Sequence, residues 1–244
     1  DFNPENISEK LINKIKETNI ENLPELEKNI RVGSCISNPQ KFIGIGLNYI
    51  DHAEEQNLKA PAEPIVFFKS PSCIIGPYDN IVIPKDSKKT DWEVELGFVI
   101  LKRASYVSED EALNHILGFF LVNDVSEREW QKEKCGQWVK GKSADTFGPI
   151  GPYIVTPDEL IDYQNLEMLL DVNEKRMQTG NTKKMIFNVK FILSYLSKFM
   201  TLMPGDIITT GTPPGVGENK KPPVFLKSGD KISLEINKLG KQIH

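Results

Sequence analysis

Two stretches of the chain carry acids where strands usually carry apolar side chains. In Asp91-Trp92-Glu93-Val94-Glu95-Leu96 the two glutamates are two residues apart, so a pleated strand points both to one face. Trp92, Val94 and Leu96 take the other face and suit a core. Adjacent carboxylates repel each other unless a cation sits between them. Further on, the apolar run Gly118-Phe119-Phe120-Leu121-Val122 delivers Asp124 at its polar end. Glu93, Glu95 and Asp124, offered from rigid strands, suit a hard divalent cation, Mg²⁺ or Mn²⁺. The competing reading of the glutamates is a solvent-facing strand edge. Asp124 favours the metal, because it ends a strand that must lie inside.

A cation needs a base beside it if the chemistry is hydrolysis. Of the three histidines, His115 sits in an expected helix and His244 is the last residue. His52 remains, with Glu55 one helical turn on. A carboxylate against an imidazole orients it and raises its basicity, which is how a water-activating base is built. Lys142, in a loop rich in glycine and proline, is either a surface lysine or a stabiliser of negative charge. Arg128 and Gln131, three apart, face one way on a helical turn and suit a substrate carboxylate. Gly136 to Ser143 satisfies the phosphate-loop pattern G-x-x-x-x-G-K-S. A charged segment precedes it and Gly148, Pro149, Gly151 and Pro152 follow, so the strand and helix that a phosphate cradle needs are missing.

The elements that must position these residues can be read in outline. Residues 1 to about 30 are charged and helix-prone, with Leu11, Ile12, Ile15 and Ile20 as a partial apolar stripe. The first residue is Asp1, so a native start is expected to be missing, and residues 1–40 are expected to be a small, truncated N-terminal segment. Phe42 to Leu47 predicts a buried strand, and Asn48 to Gln56 a helix carrying His52. Two prolines between Lys59 and Pro64 predict a mobile connection. Short strands are expected at 65–69, 73–75 and 81–83, then from Glu93 through Leu101. Ser108 with Glu111 makes a capping box that predicts a helix to about Ile116. A charged helical turn is expected from Glu127 to Lys134, and a shaped loop from Gly141 to Pro152. Leu166 to Val172 and Lys175 to Gln178 predict a hairpin around Asn173-Glu174. Asn188 caps a predicted helix over 189–200, and strands are expected at 206–210 and 231–236.

Bulk properties exclude some classes. At 244 residues the chain suffices for one large domain or two small ones. A net charge of -4 argues against a nucleic-acid surface, and no apolar run has the length of a membrane span. Cys35, Cys73 and Cys135 are odd in number and lack a C-x-x-C spacing, so reduced thiols in the cytoplasm are expected.

Taken together, six segments in order resemble the fumarylacetoacetate hydrolase family in its bacterial branch. They are Gly46-Leu47-Asn48-Tyr49 with Asp51-His52, Phe68-Lys69-Ser70-Pro71, Asp91 to Leu96, Asn123 to Arg128, Gly141-Lys142-Ser143 and Thr210 to Gly217. The resemblance implies an α+β fold, a mixed β-sheet roll with few helices, over a catalytic domain at 41–244. It also implies a homodimer and a Mg²⁺ or Mn²⁺ site. By position it makes Glu93, Glu95 and Asp124 the metal ligands and His52 with Glu55 a dyad on a lid. Lys142 becomes the family's lysine, and Arg128, Gln131, Thr212, Lys69 and Tyr49 become substrate contacts. The activity it implies is hydrolysis of a C–C bond in a small 2,4-dioxo acid, an acylpyruvate or diketo-deoxy sugar acid, to pyruvate and a carboxylic acid. An oxaloacetate-type decarboxylase, a hydroxy-dienedioate isomerase, a ureidoglycolate lyase and a non-catalytic binding protein are the alternatives.

Overall fold

The computed structural model describes residues 2–27 and 30–244. The strands that matter are β1 (Phe42–Gly46), β2 (Ile65–Lys69), β3 (Val94–Ile100), β4 (Ile116–Asn123), β5 (Glu167–Val172), β6 (Lys175–Asn181), β7 (Ile207–Thr209), β8 (Ile232–Ile236) and β9 (Gly240–Ile243). The helices are α1 (Glu9–Glu17), α2 (Ile50–Glu55), α3 (Val139–Lys142) and α4 (Val189–Phe199). One mixed sheet runs β2-β1-β7-β3-β4, parallel only between β1 and β7. A second, antiparallel sheet runs β6-β5-β8-β9. The fold is α+β, as expected.

Alternation along β3 and β4 decides how the sheets pack. Trp92, Val94, Leu96, Phe98 and Ile100 enter one core cluster with Phe119 and Leu121 of β4. The second sheet joins that cluster through Met168, Leu170, Val172, Ile232, Leu234 and Ile236, and α4 covers it with Val189, Ile192, Leu193 and Leu196. Each such side chain contributes about 1.5–3 kcal/mol of burial. The other face holds Val99, Leu117, Phe120 and Val122 in a second cluster with Ile7, Ile36 and Phe42. Glu93 and Glu95 lie on that second face, at the end where apolar packing stops. The strand is therefore buried on both sides, by core on one and by the site on the other.

Several local expectations are met for the reasons given. Asn173 and Glu174 both have positive φ, 50° and 63°, as a two-residue hairpin loop requires. Asn188 caps α4 by accepting from Phe191 N.

Other local expectations fail. Ser108 Oγ does accept from Glu111 N, at 3.4 Å, but only a short 3-10 turn, Ala112–His115, follows. The β-prone run from Ile116 is captured by β3, and sheet pairing overrides the local helix signal. Residues 81–83 form no strand; Val82 N bonds to Thr146 Oγ1 at 2.8 Å instead of to a ladder. The Glu127–Lys134 turn is π-helical over Glu129–Glu133. Gly141 belongs to α3 rather than to a loop. A Cβ there would lie 2.4 Å from Glu127 O and 2.5 Å from Gln131 N, so only glycine lets α3 approach that closely. The last strand, β9, lies beyond the strand expected at 231–236. The stripe is only partly used: no residue of α1 is fully buried, Ile12 packs against the second cluster, and Ile20, beyond the helix, is 77% exposed.

Candidate active site

The antiparallel pairing of β3 and β4 sets Val94 opposite Asn123, and Asp124 N donates to Glu93 O at 2.9 Å. That register brings Glu93, Glu95 and Asp124 together, with one oxygen from each within 4.8 Å of the others. All three are buried, at 7%, 2% and 0% exposure. Buried charges need partners, and these have them. Lys142 Nζ lies 2.7 Å from Glu93 Oε2 and 2.6 Å from Asp124 Oδ2. Lys69 Nζ lies 2.6 Å from Asp124 Oδ1 and also donates to Lys142 O and Val125 O. Arg128 donates from Nη2 to Glu93 Oε1 at 2.7 Å, from Nε to Asp91 Oδ2 at 2.9 Å and from Nη1 to Gln131 Oε1 at 3.0 Å.

Glu95 has no cation of its own. Its Oε2 accepts from Thr209 Oγ1 and from Gly211 N at 2.7 Å. Burial, then the charges of Asp124 and Glu93, push its carboxyl well above the usual range. Burial pushes Glu93 upward too, but Lys142 and Arg128 outweigh it and hold that carboxyl low. Four buried carboxylates, counting Asp91, thus face three buried cations. The deficit sits at Glu95, where a divalent cation would relieve it. Beside it, Asn123 Oδ1 accepts from Glu93 N, and its Nδ2 is the buried side-chain donor left unpaired among the described residues. The donor set, all carboxylate, is that of Mg²⁺ or Mn²⁺.

Opposite this floor, α2 supplies the imidazole. His52 Nδ1 lies 3.1 Å from Glu55 Oε2. Glu55 in turn accepts from Gly215 N at 3.0 Å and Asn219 Nδ2 at 2.9 Å. Burial alone would raise the Glu55 pKa, but the His52, Asn219 and Gly215 hydrogen bonds outweigh it and lower the value. The Gly211–Gly217 loop is fixed from below, since Asp91 accepts from Gly217 N at 2.7 Å and Glu218 N at 3.0 Å. Gly215 has φ +106°, and a Cβ on it would meet Met177 O at 2.1 Å.

Floor and roof enclose a cavity of about 310 Å³. His52, Glu93, Glu95, Arg128, Gln131, Lys142 and Thr212 all line it, beside an apolar wall that includes Leu58, Ile65, Phe67 and Trp138. Thr212 Oγ1 donates to Val94 O at 2.9 Å and accepts from Gln178. Two expected contacts lie elsewhere. Tyr49 is fully buried, and its hydroxyl reaches Met168 Sδ at 3.0 Å, inside the core. Lys69 lies under Asp124, not on the cavity wall. Arg128 also does more than face a ligand, because it ties Asp91, Glu93 and Gln131 together. Asp91, Gln56, Asn219 and Trp138 were not singled out by sequence. Asp91 had a signal, an acid beside a buried tryptophan; the other three had none.

A family model described as the fumarylacetoacetate hydrolase C-terminal domain matches residues 41–244. The 2,4-didehydro-3-deoxy-L-rhamnonate hydrolase of a Sphingomonas species is 54% identical over 228 residues, covering 93% of this chain and 80% of that protein. A solved fumarylacetoacetate hydrolase from Exiguobacterium antarcticum superposes with a TM-score of 0.86 at 37% identity, covering 93% of this chain and 82% of the other. A 5-carboxymethyl-2-hydroxymuconate delta-isomerase from Mycobacterium smegmatis does so with a TM-score of 0.77 at 36% identity, covering 87% and 80%. Among the described residues no helix is long and apolar enough to cross a membrane.

Proposed function

The chain belongs to the fumarylacetoacetate hydrolase family, and from that premise we propose a metal-dependent hydrolase that cleaves a C–C bond of a small 2,4-dioxo acid. The observation that carries this reading is one cavity lined by Glu93, Glu95 and His52, with Asp124 converging on the two glutamates from behind and Glu55 holding the imidazole. Glu93, Glu95 and Asp124 would hold Mg²⁺ or Mn²⁺. Bound there, the cation supplies Lewis-acid polarisation of a 2-oxo acid.

The chain's own residues do the rest. Glu55 holds Nδ1–H of His52, so Nε2 carries the lone pair that takes a proton from water. The resulting hydroxide adds to the 4-carbonyl carbon. The C3–C4 bond then breaks, C4 leaves as a carboxylic acid, and the bonding pair passes to the pyruvate fragment as an enolate. Lys142, with its ammonium in the cavity wall, stabilises that charge. A proton delivered to C3 completes pyruvate. Gln131 has its amide oxygen on Arg128, which frees its NH₂ for the substrate carboxylate. The apolar wall of Leu58, Ile65, Phe67 and Trp138 suits a short aliphatic tail.

The isomerase reading has the solved isomerase in its favour. A dienedioate, however, brings a second carboxylate. Each cation on the cavity wall already has acid partners: Arg128 with Asp91 and Glu93, Lys142 with Glu93 and Asp124, Lys132 with Glu218. That pairing supports a neutral distal group. The proposed partners are thus a small keto acid and, from the family resemblance, a second copy of the chain. A panel of 2,4-dioxo acids, oxaloacetate and a hydroxy-dienedioate, assayed with Mg²⁺ and with EDTA, tests the reading. Metal-dependent turnover of the dioxo acids supports it; turnover of only the dienedioate sinks it.

A further inference from the structure

The apolar wall of the cavity is a single layer of side chains. It starts at the reacting end, where Lys142 Nζ lies 5.1 Å from the centre of the Phe67 ring. The Trp138 ring comes next, its centroid 5.4 Å from that of Phe67. Both rings reach these positions because β1 carries no side chain beneath them. A Cβ on Gly44 would lie 2.2 Å from Phe67 Cζ, and one on Gly46 would lie 2.4 Å from Trp138 Cζ3. Beyond the wall runs a second hollow, a groove of about 440 Å³ lined by Phe68, Val139 and, again, Ile65, Phe67 and Trp138. Those last three line both spaces, so the cavity and the groove abut at them. Phe67 is buried within β2. Trp138 is only half-buried and is held by ring packing.

We propose that Trp138 is a specificity-determining residue: its ring closes the cavity against the groove and so limits the length of the apolar tail that the site accepts. The inference rests on the proposed hydrolysis and goes further, by naming the side chain that sets the limit. The path of the tail follows from where the polar groups are. The carboxylate and oxo groups of a keto acid belong at Glu93, Glu95, Arg128 and Lys142. A tail leaving that end has Phe67 beside Lys142, then Trp138. An apolar tail gains by following this wall, since each methylene withdrawn from water strengthens binding about fourfold. The gain stops at the indole, because a packed ring makes room for a further methylene only at a cost. Removing the ring joins the cavity to the groove. Phe68 and Val139, exposed at 42% and 41%, then offer the tail further apolar surface.

The test compares 2,4-dioxopentanoate with 2,4-dioxononanoate, which differ only in tail methylenes, in the Mg²⁺-loaded full chain and in Trp138→Ala and Trp138→Leu. The wild type is expected to favour the shorter acid in kcat/KM by about tenfold or more, the scale of a methylene too many in a closed apolar pocket. Trp138→Ala is expected to erase or reverse that ratio, with Trp138→Leu falling between. If the alanine variant does not fold, the leucine variant carries the same test. Equal losses on both acids, leaving the ratio unchanged, would mark a structural role and overturn the limit. A wild type indifferent to length would overturn it too. A second readout needs no cleavage. 2-Oxopentanoate and 2-oxononanoate lack the 4-carbonyl and stay intact in a calorimeter with Mg²⁺. Trp138→Ala should raise the affinity of the longer acid relative to the shorter by about tenfold or more; an unmoved ratio overturns the limit. Failure of the hydrolase reading is recognised separately: neither dioxo acid would then yield pyruvate in any variant, while the calorimetric ratio still shifts.

Discussion

The floor and the roof of the cavity are built in opposite ways. On the floor, Glu93 and Asp124 are clamped by Lys69 of β2, Lys142 of α3 and Arg128 at the start of the π-helical turn, all buried. The roof hangs from a six-residue helix. His52 is oriented by Glu55, and Glu55 by a backbone amide and the exposed-side Asn219 contact. Buried ion pairs are costly to break from one side, whereas single hydrogen bonds contribute little each. On the proposed reading, the floor would serve any chemistry that needs a chelated keto acid, and the roof would decide which bond breaks and in which substrate. That contrast explains how a hydrolase and an isomerase can both be similar to this chain.

The sharpest way to break the contrast is at the floor. Glu93→Ala is expected to abolish Mn²⁺ binding by calorimetry and to cut turnover by about 10³-fold or more. Retained binding would move the metal elsewhere. At the roof, His52→Ala should lower turnover about 10²–10⁴-fold with Mn²⁺ affinity unchanged. Loss of both together would join the two regions into one. Lys69→Met removes a cation from beneath Asp124 and should cost about 3–5 kcal/mol in urea unfolding. Adding Asp124→Asn should recover part of that loss, since it removes the carboxylate that Lys69 helps to neutralise. Asn219→Ala, by contrast, should cost about 1 kcal/mol at most, read as a small fall in kcat.

Acid titration separates the regions more finely. The folded-state pKa of Glu55 is depressed below its ordinary 4.5. A depressed carboxylate contributes stability that is present above the ordinary value and lost as pH falls through the depressed one. The stability gap between wild type and Glu55→Gln should hold steady down to about pH 4.5 and shrink below it. A gap that grows on acidification would reverse the sign and the assignment.

How far the sequence carried depended on where each residue sits. Strand alternation placed Glu93 and Glu95 on one face and Trp92, Val94 and Leu96 in the core, and the structure agrees. The His52–Glu55 spacing translated directly into a contact, because i,i+3 neighbours meet on any helix. Lys69 and Tyr49 came as substrate contacts from the resemblance, and the structure sets both behind the cavity wall. Alternation along β2 and the start of α2 does not say how deep a side chain goes, and both are fully covered by neighbours distant in sequence. Gln56 and Asn219 were invisible for the same reason, being 163 positions apart yet serving one dyad. The helix expected after Ser108 failed because the β4 run had a partner strand waiting.

One experiment bears on the whole reading: the full chain with Mg²⁺ and a 2,4-dioxo acid, all products identified by NMR. Pyruvate and the companion carboxylic acid should appear in equal amounts, without carbon dioxide, and EDTA should stop both. A rearranged substrate with neither pyruvate nor companion acid, or product formation that EDTA does not stop, would contradict metal-dependent C–C hydrolysis at this site.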